Sequence, residues 1–232
     1  MDPRRRFWNV QQQELQKALE RGDEPQKVIP LFLDHHAMVH SGRLVERSGW
    51  SFEDEAMDGL KEADFRIIPP GEDHSIGWII WHLARIEDVT MNVLVAGTPQ
   101  VFQSEGWVNK VGIDTPETGN APDPIGIRRL SEMVNITALR DYRLAVGNRT
   151  REIVKSLRPS DYRQKVDPAQ LDQIMAEGAV VDSTRWLADY WGKKTFAGLL
   201  LMPPTRHNFV HLNEAIRIKK KIQLRRNVII ST

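Results

Sequence analysis

The sequence predicts an all-α fold: a four-helix bundle with long crossover connections and extra helices. Three observations carry that prediction. Apolar residues recur at three- and four-residue spacing in several long stretches. No run of alternating apolar and polar residues competes as a strand. The connections between the periodic stretches are long and rich in Gly and Pro, which suits crossovers better than tight up-and-down turns.

Taken in order, a first helix is expected over residues 7–21, stopped by Gly22 and Pro25. A second is expected over 30–48, with Pro30 in its first turn and Gly49 just past its end. The clearest spans 74–96: Ile76, Ile79, Ile80, Leu83, Ile86, Val93 and Leu94 form one face, Arg85, Asp88 and Asn92 form a polar strip opposite, and Gly97 ends the run. Residues 98–124 read as a long connection. A long helix follows over 127–157, then two shorter ones over 168–177 and 184–201. Pro203-Pro204 breaks the chain, Thr205 is placed to cap, and a last helix covers 206–225, with 227–230 as a short extended tail.

The expected organisation is one domain over 1–232, with 1–25 as an N-terminal helix and 158–204 as an inserted helical region before the last core helix. A formal net charge of +1 gives no electrostatic argument for nucleic acid. The basic run Lys219-Lys220-Lys221 with Arg225-Arg226 reads as a solvated helix end favoured by the macrodipole. No apolar run is long enough to span a bilayer, and Gln11, Gln12, Gln13 and Glu14 stand where a secretion signal would need apolar residues. A cytoplasmic address, a small-molecule substrate, and no nucleic-acid or membrane partner are therefore expected.

The chain has seven histidines and no cysteine, so any metal must be held by nitrogen and oxygen. His207 and His211 are four apart and share the stripe that continues through Ala215, Ile218 and Ile222, the inward face of the last helix. Two imidazoles there can chelate one ion, and His82, on the apolar arc of its own helix, is the natural third. A rival pair, His36 and His40, has the same spacing, with His35 beside it. Spacing does not choose between the pairs, and His36 or His40 stands as a cavity contact or fourth ligand. His74 is expected to serve the N-terminus of the helix carrying His82. Glu87 and Glu214 are candidates to orient an imidazole, against the plainer reading of surface carboxylates. Trp186, Tyr190, Trp191 and Phe196 either roof a metal cavity or pack their helix onto the bundle.

The run Ser75-Ile76-Gly77-Trp78-Ile79-Ile80-Trp81-His82-Leu83-Ala84-Arg85-Ile86-Glu87-Asp88 resembles the second helix of DinB-like proteins, in which a His, a small apolar pair and then acidic residues supply the first metal ligand. The segment 206–218 resembles their fourth helix, where His-x-x-x-His supplies the other two. The likeness covers residues 30–157 and 205–223. It implies His82, His207 and His211 as ligands, the same three reached from the helical faces, and it implies a homodimer. It is also a likeness to thiol-dependent enzymes, transferases and isomerases that use bacillithiol, mycothiol or glutathione.

A divalent ion on three neutral imidazoles keeps an open position, where a water would be activated for hydrolysis or a thiol deprotonated for transfer. Zinc leads for nitrogen-only ligation, with nickel and iron also fitting. Thiol transfer, metal-dependent hydrolysis, and a non-catalytic stress-response or interaction protein with a structural metal all remain open. Zinc-peptidase chemistry does not, because Asn208 stands where His-Glu-x-x-His needs its base.

Overall fold

The computed structural model describes residues 2–45, 50–120 and 123–230, with side chains through residue 226. The fold is all-α, and no strand forms among the described residues. The first helix, α1 (Pro3–Arg21), starts earlier than the apolar pattern suggests because the Asp2 carboxylate caps the Arg4 amide and Pro3 sits in the first turn. Gly22, at φ 70°, closes it in the left-handed conformation.

The expected helix over 30–48 is corrected by α2 (Pro25–Ala37). Pro25 takes the first-turn position instead, and Pro30 lies inside the helix. Beyond Ala37 the chain turns, and Ser41 caps a short 3₁₀ turn, Gly42–Leu44. Ser48 and Gly49, the expected helix end, lie outside the described residues. A short helix that the periodicity did not reveal, α3 (Phe52–Met57), is capped by Ser51.

The strongest sequence signal becomes the central element. Helix α4 (Ile76–Asp88) is capped by the Ser75 hydroxyl, which accepts from the Trp78 amide. It runs on through a wider π turn, Val89–Val95, and stops at Gly97, φ 63°. Every residue from Ile76 to Val95 is buried. The expected polar strip is therefore internal: the Asp88 carboxylate accepts from the Tyr142 hydroxyl, the Asn92 amide, and the backbone amides of Val101 and Phe102. It thereby holds α5 (Val101–Ser104) against α4. That helix and α6 (Trp107–Val111) occupy part of the connection expected over 98–124.

The expected helix over 127–157 is two helices, α7 (Pro124–Met133) and α8 (Ile136–Ser156). Asn135 makes the break. Its side chain caps the Ala138 amide while its own amide donates to the Val111 carbonyl. Helix α9 (Pro168–Ala176) matches its expectation closely. The expected helix over 184–201 divides into α10 (Arg185–Gly192) and α11 (Phe196–Leu200), because Thr195 starts a new helix by capping Gly198. Thr205 does not cap. Its hydroxyl donates to the Leu200 carbonyl inside a π turn, Met202–His207, which leads into α12 (Asn208–Ile230). The tail expected to be extended is the end of that helix.

Helix α4 packs against α8 and α12, and α12 also against α3. Two clusters of buried apolar side chains result, and α4 feeds both. Its first half (Ile76 to Ala84) joins Phe52, Ile136, Leu139, Leu212 and Ile216. Its second half (Ile86 to Val95) joins Leu15, Phe32, Trp191, Leu199 and Leu200. Four of the basic residues of α12 have partners: Lys219 donates to the Glu55 carbonyl, Lys221 and Arg217 meet Glu72, and Arg226 meets Asp64. No helix among the described residues is long and apolar enough to cross a membrane.

Candidate metal centre

Where α4 crosses the start of α12, three imidazoles from distant parts of the chain converge. One nitrogen of each of His82, His207 and His211 lies within 4.8 Å of the others, and the Nε2 atoms of His82 and His207 are 3.1 Å apart. His207 closes the π turn and His211 is one helical turn further on, so both rings face α4. His82 is buried, and the other two are half-buried at the edge of a cavity.

The surrounding groups set which nitrogen of each ring is available. The His82 Nδ1–H donates to the Thr118 carbonyl at 2.5 Å, leaving Nε2 with its lone pair toward the other rings. The His211 Nδ1–H donates to Glu214 at 2.9 Å, so Nε2 is the nitrogen this ring has left for the centre. Burial holds His82 neutral, its pKa pushed down to about 3, and the nearby His211 adds to the effect. Burial and the neighbouring His82 drive His207 in the same direction. Two rings kept neutral by burial, with a nitrogen of all three within reach of one point, make a donor set that a divalent ion can use, so the residues fit a metal.

Glu214 is neither on the open surface nor alone. Its second oxygen accepts from His74 Nδ1 at 2.9 Å, and His74 stacks on Trp78 at 3.9 Å. Burial would raise its pKa, yet the hydrogen bonds from His211 and His74 bring it down to about 2. His74 therefore serves Glu214, while Ser75 caps α4. Thr118 acts through its backbone carbonyl, which the identity of its side chain does not signal. Its neighbour Gly119, at φ +87°, lets the loop come this close: a Cβ there would meet Trp81 at 2.9 Å, Trp78 at 3.0 Å and His82 Nδ1 at 3.1 Å.

The cavity in front of the three rings encloses about 420 Å³. Its walls are Trp78, Trp186, Tyr190, Trp191 and Met202, with Asn120 as a polar contact, and among the described residues no Lys, Arg, Asp or Glu lines it. Trp186 is 58% exposed at the rim, so α10 both packs through Trp191 and presents aromatic faces to the opening. Phe196 packs in the core instead.

The other sequence-predicted residues gather elsewhere. His36, His40 and Glu87 are buried and do not line the cavity. Glu87 makes no hydrogen bond to the three converging rings. Its oxygens accept from His36 Nε2 at 2.8 Å, His40 Nε2 at 2.9 Å and the Asn208 amide at 2.8 Å. Burial acts to raise the pKa of Glu87, but His40 and His36 outweigh it and hold the carboxylate well below its ordinary range. Burial likewise lowers His40 to about 3 and lowers His36. His35 points away to Gln12, 2.6 Å from its carbonyl oxygen.

Among comparisons with known proteins, the family model of the DinB superfamily matches residues 53–212, more than half of the chain and inclusive of all three converging histidines. No curated protein matches the sequence.

Proposed function

The chain belongs to the DinB superfamily, and from that premise we propose that it holds a divalent metal ion through His82, His207 and His211 and transfers a low-molecular-weight thiol to a small electrophilic substrate. The single observation that carries this reading is the approach of three imidazoles, a nitrogen of each within 4.8 Å of the others, at the inner end of an aromatic-walled cavity. Zinc leads as the ion, with nickel and iron also suited to three nitrogens. Bound there, a divalent ion supplies Lewis-acid charge that lowers the pKa of an incoming thiol or water.

The chain's own residues do the rest. The Thr118 carbonyl and the Glu214 carboxylate fix the His82 and His211 rings with their lone pairs inward. His74 holds the second Glu214 oxygen and so keeps that carboxylate from rotating away. Trp78, Trp186 and Trp191 give an apolar lining that accepts an uncharged electrophile. The chain has no cysteine, so the sulfur must arrive with a cosubstrate.

The test is metal analysis of the purified protein beside His82→Ala, followed by assays with several cellular thiols and a model electrophile. Metal in the wild type, its loss in the variant, and a thiol-dependent rate above that of His207→Ala are the expected results. No rate above the His207→Ala control would remove thiol transfer. Ester or amide cleavage without added thiol would move the same site to hydrolysis.

A further inference from the structure

Among the described residues, buried carboxylates follow a rule that one of them breaks. Glu53 pairs with Arg143, Asp64 with Arg226, Asp88 with Arg85, and Asp161 with Arg158. Glu87, fully buried, has two imidazoles and one amide for partners and, among the described residues, no guanidinium or ammonium. A buried charge is costly unless a counter-charge is close, and Arg143 is already engaged by Glu53.

The same three side chains form a donor set. His36 lies near the end of α2 and His40 in the turn after it, with ring centroids 4.1 Å apart. Their Nε2 atoms converge on the two oxygens of one carboxylate, and a ligand atom from each of the three residues lies within 4.8 Å of the others. Nitrogen and oxygen ligands around a tetrahedral ion with bonds near 2 Å stand roughly 3.3 Å apart. The present 2.8 and 2.9 Å contacts thus need to widen by only a few tenths of an ångström.

We propose that His36, His40 and Glu87 form a second metal site, closed and structural, that takes a first-row divalent ion of the zinc type through two imidazole nitrogens and the carboxylate. The ion supplies the counter-charge Glu87 lacks and ties α2 and its following turn to α4. Asn208 steadies the carboxylate through its amide, and because it follows His207 it links this site to the start of α12. The assignment does not depend on the three-imidazole reading, since the two sets share no residue.

The experiment counts metal per folded chain in protein from zinc-supplemented cells, for the wild type, His207→Ala/His211→Ala and Glu87→Gln. Two equivalents in the wild type and one in each variant are expected. Cobalt substitution should likewise leave one visible-absorbing ion in the double variant. One equivalent in the wild type and none in the double variant would overturn the second site and leave the three-imidazole site standing. One in both would do the reverse, and none in either would end both. If Glu87→Gln retains two equivalents the proposal fails. If that variant does not fold, the metal count of the double variant, altered only at half-buried positions, decides between one site and two.

Discussion

Two histidine clusters lie on the same central helix, and the molecule treats them in opposite ways. His82 meets His207 and His211 at the inner end of a cavity, with two rings half-buried and the Nδ1 atoms of His82 and His211 held by a carbonyl and a partly exposed carboxylate. Five residues further along α4, Glu87 meets His36 and His40 deep in the core. The first arrangement engages the Nδ1 atoms of His82 and His211, which leaves Nε2 of each ring for the centre, and opens toward an apolar chamber. The second uses every convergent atom on a neighbour and stays closed to solvent. Residue type alone would have ranked the clusters equal; access and hydrogen bonding separate a place for chemistry from a place for cohesion. One glycine accompanies each. Gly119 admits the loop that holds His82, while a Cβ at Gly147 would meet His40 Nδ1 at 2.8 Å.

The largest test of this contrast is Glu87→Ala against His211→Ala, both measured in urea with chelator present. Losing Glu87 leaves two imidazole N–H groups and the Asn208 amide without their acceptor inside the core. Breaking such a buried charged network costs about 3–5 kcal/mol, so the urea midpoint should fall sharply at an unchanged slope. His211 is half-buried, and its removal should cost about 1 kcal/mol or less. Equal losses would erase the distinction between the two clusters.

Acid should be the next most damaging. Burial lowers His35 and His40 to about 3 from an ordinary value of 6.5, so between these values the unfolded chain binds protons that the folded chain refuses. Stability then rises with pH across that window and is lost as pH falls from 6.5 toward 3, by about 1.4 kcal/mol per unit for each such histidine once well below 6.5. His36 titrates in the same direction. The chelated protein should therefore begin to unfold above the usual carboxylate range, and His207→Ala/His211→Ala should keep most of that acid limb. Loss of the limb in the double variant would place the sensitivity at the cavity instead.

How much of this the sequence disclosed depends on the distance over which each feature acts. The helix over 74–96 was legible because one apolar pattern repeats along its whole length, and caps such as Asn135 and Thr195 broke two other helices where periodicity ran on smoothly. The spacing of His207 and His211 showed the pair, and the apolar arc around His82 showed the third ring. Burial of Arg85, Glu87 and Asp88 was not legible, because a charged residue on a helix is ordinarily solvated and only the partners reverse that: Tyr142, His36, His40 and Asn208 all come from other segments. Asn208, which in the sequence only denies the chain a peptidase base, holds Glu87 in the fold. The Thr118 carbonyl leaves no mark in the sequence, since any residue carries one.

The smallest expected change in stability belongs to Glu214→Gln, and it sharpens the comparison from the other side. The carboxylate accepts from both His211 and His74, whereas an amide has one oxygen and can accept fully from only one of them. Glu214 is partly exposed, so water can replace what is lost, and unfolding in urea should shift by less than about 1 kcal/mol. Orientation of the His211 ring is what suffers. Replacing such an outer partner typically weakens metal affinity about 10–100-fold, and competition with a chromophoric chelator would measure it. A near-normal urea midpoint with weakened metal binding would mark the cavity cluster as one tuned for an ion rather than for the fold. A large loss of stability with unchanged affinity would mean that Glu214 belongs, like Glu87, to the architecture.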